Sequence, residues 1–139
     1  MQVLNEAARA AIEAGNMATL ATVGRDGAPQ LSMVWVGLDG DDLVVGHLGA
    51  GAKVRNVAAD GRVALTMLTG GANPVGLHHY LIIKGTATVE QGGAPELLHR
   101  LAQVYVGPGT KFPPMDDPPE GHVIRITPTN VGGVGPWSD

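Results

Sequence analysis

The residues best suited to chemistry lie between His47 and Val57, in the run His-Leu-Gly-Ala-Gly-Ala-Lys-Val-Arg-Asn-Val. The run leaves an apolar segment, Leu43-Val44-Val45, crosses glycines and enters a short helix-like segment carrying Ala52, Lys53, Arg55 and Asn56. At a helix start the first backbone N–H groups lack intrahelical partners, the dipole favours an anion, and a lysine adds full positive charge. Strand, flexible turn and lysine-bearing helix therefore make a place for a phosphate. The alternative is an ordinary strand-to-helix turn with solvated basic residues. A dinucleotide-binding reading of Gly46, Gly49 and Gly51 fails, because the spacing is not G-x-G-x-x-G and the following helix is too short.

Other reactive side chains are sparse. Cysteine is absent, which excludes disulfides, thiolate catalysis and cysteine metal sites and fits a reducing compartment. Serine occurs only at Ser32 and Ser138, neither in a nucleophile-elbow context. His78 and His79 are adjacent, so on a strand they face opposite ways, and His47, His99 and His122 share no ligand spacing; no metal site is expected. Asp116-Asp117, flanked by prolines, reads as a loop-shaping turn. With no primary nucleophile, chemistry falls to a cofactor that the protein binds and orients. Gln30 and Ser32 share one strand face and can hydrogen-bond the edge of a planar heterocycle, or simply form a solvated face. Met33, Trp35, Met67 and Tyr80 can flank an aromatic ring or be plain core. Trp137, near the chain end, is costly to order unless it packs against a ligand or partner subunit.

The elements that must position these residues are legible in outline. Leu4, Ala8, Ala11 and Ile12 recur at helical spacing between a capping Asn5 and a terminating Gly15. Met17 to Val23 and Gln30 to Val36 are β-prone and flank Gly24-Arg25-Asp26-Gly27, a hairpin signal. Leu38-Asp39-Gly40-Asp41-Asp42 makes the next turn, and with Leu43 to Leu48 these strands predict a three-stranded meander. Arg62 to Leu68 predicts a fourth strand, Thr69 to Gly76 a loop, and His79 to Val89 a long strand bulged or closely approached at Gly85. Ala94 to Tyr105 predicts a helix with Leu97, Leu98, Leu101, Val104 and Tyr105 on one face. Gly107 to Pro119 is an irregular lid or dimer-contact loop, His122 to Thr127 the last strand, and Val131 to Trp137 a glycine-rich tail. The class is α+β, a six-stranded barrel-like antiparallel sheet with two to three helices.

At 139 residues the chain suits a single domain, residues 1–139, with a full core. A net charge of −4 without a basic run argues against nucleic acid as partner. No leader pattern or membrane-spanning apolar run is present, so a soluble, cytoplasmic protein is expected.

Several motifs then fall in register: Leu20-Ala21-Thr22-Val23, Asp26-Gly27-Ala28-Pro29-Gln30-Leu31-Ser32, Val34-Trp35-Val36, Ala52-Lys53-Val54-Arg55-Asn56-Val57, Gly61-Arg62-Val63 and Gly85-Thr86-Ala87. Together they resemble the pyridoxamine 5′-phosphate oxidase-like split β-barrel flavoproteins, and within them the B class of flavin/deazaflavin oxidoreductases. The resemblance implies a six-stranded split barrel that forms a homodimer with cofactor sites at the subunit interface. It implies coenzyme F-420, a deazaflavin, or FMN as cofactor, and hydride transfer to a small conjugated substrate. Carried over by position, Lys53 and Asn56 would hold the phosphate with the Ala52 N–H, and Gln30 and Ser32 would lie along the ring. His47 stands where the family often has a small hydroxyl residue. Relatives often carry arginine where this chain has Gly51, so Arg55 is a second candidate for the phosphate. Tyr80, His79 or water can supply a proton. The alternatives are an FMN enzyme of the same fold, a non-catalytic cofactor-binding protein, and a member that keeps only the dimer.

Overall fold

The computed structural model describes residues 3–137. Its elements are α1 (Glu6–Glu13), β1 (Ala18–Val23), β2 (Pro29–Val34), β3 (Gly37–Asp39), β4 (Asp42–His47), α2 (Ala52–Ala59), β5 (Arg62–Ala72), β6 (His78–Gln91), α3 (Ala94–Tyr105) and β7 (His122–Val134). The strands form one seven-stranded sheet in the order β2-β1-β5-β6-β7-β4-β3, with antiparallel pairings throughout. The ends of the series do not pair, so the barrel is split and not closed.

Local signals explain the helices. The Asn5 side chain accepts from the Ala8 N–H, and Gly15, at φ +85°, turns the chain out of α1. Leu4, Ala8 and Ile12 then plug the main core, among Leu20, Leu65, Leu81, Ile83 and Ile126. α2 buries Val54 and Val57, three residues apart, in that same core and so leaves Lys53 and Arg55 outside it. α3 covers the other side of the sheet, where Leu97 and Leu101 meet Val44 and Val123. Each fully buried aliphatic chain stabilises the fold by about 1.5–3 kcal/mol relative to exposure.

Several expectations need correction. The expected meander does not form: β2 pairs with β1 at one edge, while β3 and β4 lie at the other. The continuous run Gln30–Val36 breaks after Val34, because the Tyr105 hydroxyl of α3 accepts the Val36 N–H at 2.9 Å and donates to backbone carbonyls. Beyond the break, Gly37–Asp39 forms β3 and takes in Leu38 and Asp39 of the expected turn, so seven strands replace the expected six. The predicted loop at Thr69 is strand as far as Ala72, which pairs with His78 beyond a register irregularity. The predicted glycine-rich tail is also strand: Gly132 and Gly133 pair with Ile82 and Leu81. Gly133 is there because a β-carbon would collide with the Tyr80 carbonyl. Gly85 behaves as expected, with a register shift beside it and the Thr127 carbonyl against the place of its missing side chain.

Candidate functional site

β4 delivers His47 to the foot of α2. The His47 Nε2 accepts the Gly51 N–H at 3.2 Å, so the neutral ring carries its proton on Nδ1. Gly51 is the N-cap of α2 and has no side-chain cap to offer. The N–H groups of Ala52, Lys53 and Val54 are left open by helix geometry. His47 pairs across β4 and β7 with His122, whose Nδ1 lies 3.0 Å from the Gly49 carbonyl.

Lys53 is half-buried beside them. Burial lowers its pKa, and burial, followed by the charges of Lys53 and His122, lowers that of His47. Among the described residues Lys53 has no ion pair. Positive charge is therefore held here without a counter-ion. Both residues line a cleft of about 340 Å³, whose walls are Met33, Val34, Trp35, Leu48, Leu98 and Phe112. Trp35 is fixed by stacking on Tyr105, with centroids 5.3 Å apart at 14°, and by a tilted contact with Phe112 at 5.2 Å. One end of the cleft is cationic and the rest apolar and aromatic. A planar ring with an anionic tail fits that division.

The other expected residues do not all meet there. Asn56 donates to Gln30 Oε1 at 2.7 Å and to Thr22 Oγ1 at 3.1 Å, tying α2 to β2 and β1. Ser32 follows on the same face as Gln30, half-buried and opposite Leu20. Arg55 donates to the Ala50 carbonyl at 2.9 Å and lines a separate cleft with Arg25, Asp60 and Arg62. Trp137 packs on its own core and donates to the Tyr80 carbonyl at 3.1 Å, with His79 at its ring edge. Tyr80 pairs with Val134 at the far end of β7 from His122, so Trp137, Tyr80 and His79 lie at the opposite end of that strand from Lys53. Met67 is plain core, at 2% exposure.

Sequence reasoning missed Thr22, Leu98 and Phe112. Thr22 had a signal, a polar residue in phase with buried Ala18 and Leu20 on β1. Phe112 lies in a loop without periodicity and had none. A larger cleft, about 780 Å³, is lined in part by Asp39, Glu90, Glu96, Arg100 and Arg125. Arg125 is already satisfied there by Asp39, Asp42 and Glu90. Among the described residues no group of three or more His, Cys, Asp or Glu can hold a metal ion. No helix is long and apolar enough to cross a membrane.

Solved structures share this fold. An F420 reductase shares 27% identity over 89% of this chain and 94% of its own, with a TM-score of 0.72. A conserved hypothetical protein from Mycobacterium tuberculosis shares 25% identity over 94% of this chain and 84% of its own, also at 0.72. A heme binding protein from Mycobacterium smegmatis, at 23% identity, 94% and 55% coverage and a TM-score of 0.64, shares the fold. No curated protein matches the sequence. The sequence profile described as "Pyridoxamine 5'-phosphate oxidase" matches residues 4–135, the whole span from the first core leucine through the last strand. With its split antiparallel sheet and helix-foot lysine, the chain belongs to the pyridoxamine 5′-phosphate oxidase family.

Proposed function

We propose that this protein is an oxidoreductase that uses a flavin-type cofactor, coenzyme F-420 in the first place and FMN as the alternative, to move a hydride to or from a small conjugated molecule. The observation that carries the reading is Lys53: a half-buried ammonium with no ion pair among the described residues, at a helix start whose N-cap glycine has no side chain to offer, opening on an aromatic-walled cleft. The resemblance to an F420 reductase over most of both chains supports the deazaflavin.

Lys53 and the open N–H groups of Ala52 and Lys53 would hold the phosphate, while the Gln30–Asn56–Thr22 network, which lines no part of this cleft, would fix the foot of α2 against β1 and β2. Trp35, Met33 and Phe112 supply apolar faces that exclude water. When bound, the cofactor supplies the hydride acceptor or donor. A cleft of about 340 Å³ is at the small end of the roughly 300–1,000 Å³ typical of ligand pockets, and its mouth needs cover.

A second copy would provide that cover. On the sheet face turned away from the main core, Leu31 and Met33 of β2 and Leu68 of β5 are 66%, 58% and 71% exposed. The register continues this face through Thr19, Thr66, Ile82 and Tyr80. Met33 belongs both to this face and to the cleft, so a homodimer formed here would close the site.

The test is a titration of apo-protein with FMN and with F-420, followed by fluorescence. Tight binding of F-420 with weak binding of FMN supports the lead reading, and the reverse supports the alternative. Binding of either without turnover of any nitro, enone or quinone substrate favours a non-catalytic carrier. Binding of neither would sink the proposal.

A further inference from the structure

We propose that His47 is a proton-linked clamp: when an anionic group binds at Lys53, the imidazole takes up one proton from solvent and joins Lys53 in holding that group. The inference rests on the Lys53 cleft being the cofactor's anion site, and it assigns His47 a role beyond lining it.

The geometry begins with Gly51. A β-carbon there would stand 2.9 Å from His47 Nε2, so the ring occupies the space a side chain at position 51 would need. Ring and glycine are fitted to each other. The ring presents Nε2 to the Gly51 N–H at 3.2 Å, and so acts as the missing cap at the foot of α2. In the free protein the imidazole lone pair thus sits where an anion's oxygen would sit.

Burial, and after it the charges around the ring, favours the neutral form until an anion arrives. Lys53 faces it from α2 and His122 from β7. The remaining cleft walls bring Val34, Trp35, Leu98 and Phe112, none of them titratable. Protonation in the empty cleft would place a second positive charge beside Lys53 and forfeit the Gly51 hydrogen bond. A bound anion reverses both costs. It supplies the missing negative charge and accepts the Gly51 N–H itself, while Nε2, now protonated, becomes a donor to the same group. Per anion bound, one proton moves from solvent to Nε2, and no bond to carbon or phosphorus changes.

The site therefore selects an anion by charge. Among flavins it should distinguish FMN from riboflavin increasingly well as pH falls, by up to about tenfold per pH unit in the limit of one linked proton. The FMN phosphate has its own ionisation near pH 6. That contribution is common to wild type and variants, so their difference isolates the imidazole.

The experiment is calorimetric titration of apo-protein with FMN, riboflavin and F-420 from pH 5.5 to 8.5, in buffers of different ionisation enthalpy. It is run on wild type, His47→Gln, and Gly51→Ala, in which the β-carbon displaces the ring without removing it. Uptake of a proton with FMN or F-420 but not riboflavin, lost in both variants while binding survives, is the expected result. Anion binding with equal proton uptake in wild type and His47→Gln would overturn the clamp and leave the oxidoreductase reading standing. Failure of wild type to bind either cofactor at any pH would remove the reading and the clamp together. Should His47→Gln not fold, Gly51→Ala and the imidazole titration of wild type, followed by NMR with and without FMN, decide the matter: an unmoved His47 titration refutes the clamp.

Discussion

Lys53 sits where its charge is least comfortable, and that discomfort has measurable consequences. Its pKa and that of His47 are both lowered, in each case first by burial. Replacing Lys53 by Ala should weaken cofactor binding by about 1–3 kcal/mol, the usual cost of losing a charge-assisted contact. The melting temperature of the apo-protein should stay the same or rise, because an ammonium without a counter-ion has been removed. Fluorescence titration and thermal melts check the two halves separately. For His47 the sign follows from the lowered value: the folded state favours the neutral ring, so the unfolded chain takes up the proton first. Stability tied to this ring is complete above the ordinary value of 6.5 and is lost as pH falls through 6.5 towards the folded value. Apo-protein should therefore melt earlier at pH 5 than at pH 7, and His47→Gln should shrink that difference. Much of this was readable in the chain, since glycines ahead of a lysine on a helix start are a local pattern. The partner of Asn56 was not. Gln30 lies 26 positions away, and only the pairing of β1 with β2, against which α2 packs, brings it within reach.

At the level of elements, the break between β2 and β3 shapes the cleft. It frees Trp35 from strand pairing and turns it onto Tyr105 and Phe112. Tyr105→Phe keeps the stack but leaves the Val36 N–H without its acceptor, which should cost about 1–3 kcal/mol of stability and loosen the Trp35 wall. Chemical denaturation measures the first effect and near-ultraviolet circular dichroism the second. Helix α1 was legible because cap, periodicity and terminator agree within one segment, and α3 from apolar periodicity alone, although Val104, expected on that face, is 53% exposed. The β2–β3 break was not, because Val34-Trp35-Val36 is locally an ideal strand and the interrupting hydroxyl comes from 69 residues away. The glycines of β5 and β7 misled for a related reason. They read as turns, yet Gly133 is required by the close approach of a neighbouring strand. Gly85 is constrained in the same way, and Gly85→Ala should destabilise by about 1–3 kcal/mol as β6 and β7 are forced apart.

For the whole molecule, the exposed face of Leu31, Met33 and Leu68 is the feature a lone chain leaves unexplained. If a second copy covers this face, Leu68→Asp should shift sedimentation from dimer to monomer with little change in the fold, since the side chain is 71% exposed. If the cleft is closed by a second copy, the same variant should also lose cofactor affinity although position 68 lines no part of the cleft. Monomer with unchanged affinity would separate assembly from binding. The stacked Trp35 has one more consequence. The protein contains two tryptophans, one in the cleft wall and one at the opposite end of β7, so its emission comes from two lamps of which a bound chromophore stands beside only the first. In Trp137→Phe the remaining light should be extinguished almost wholly on cofactor binding, giving the molecule a built-in optical gauge of its own occupancy.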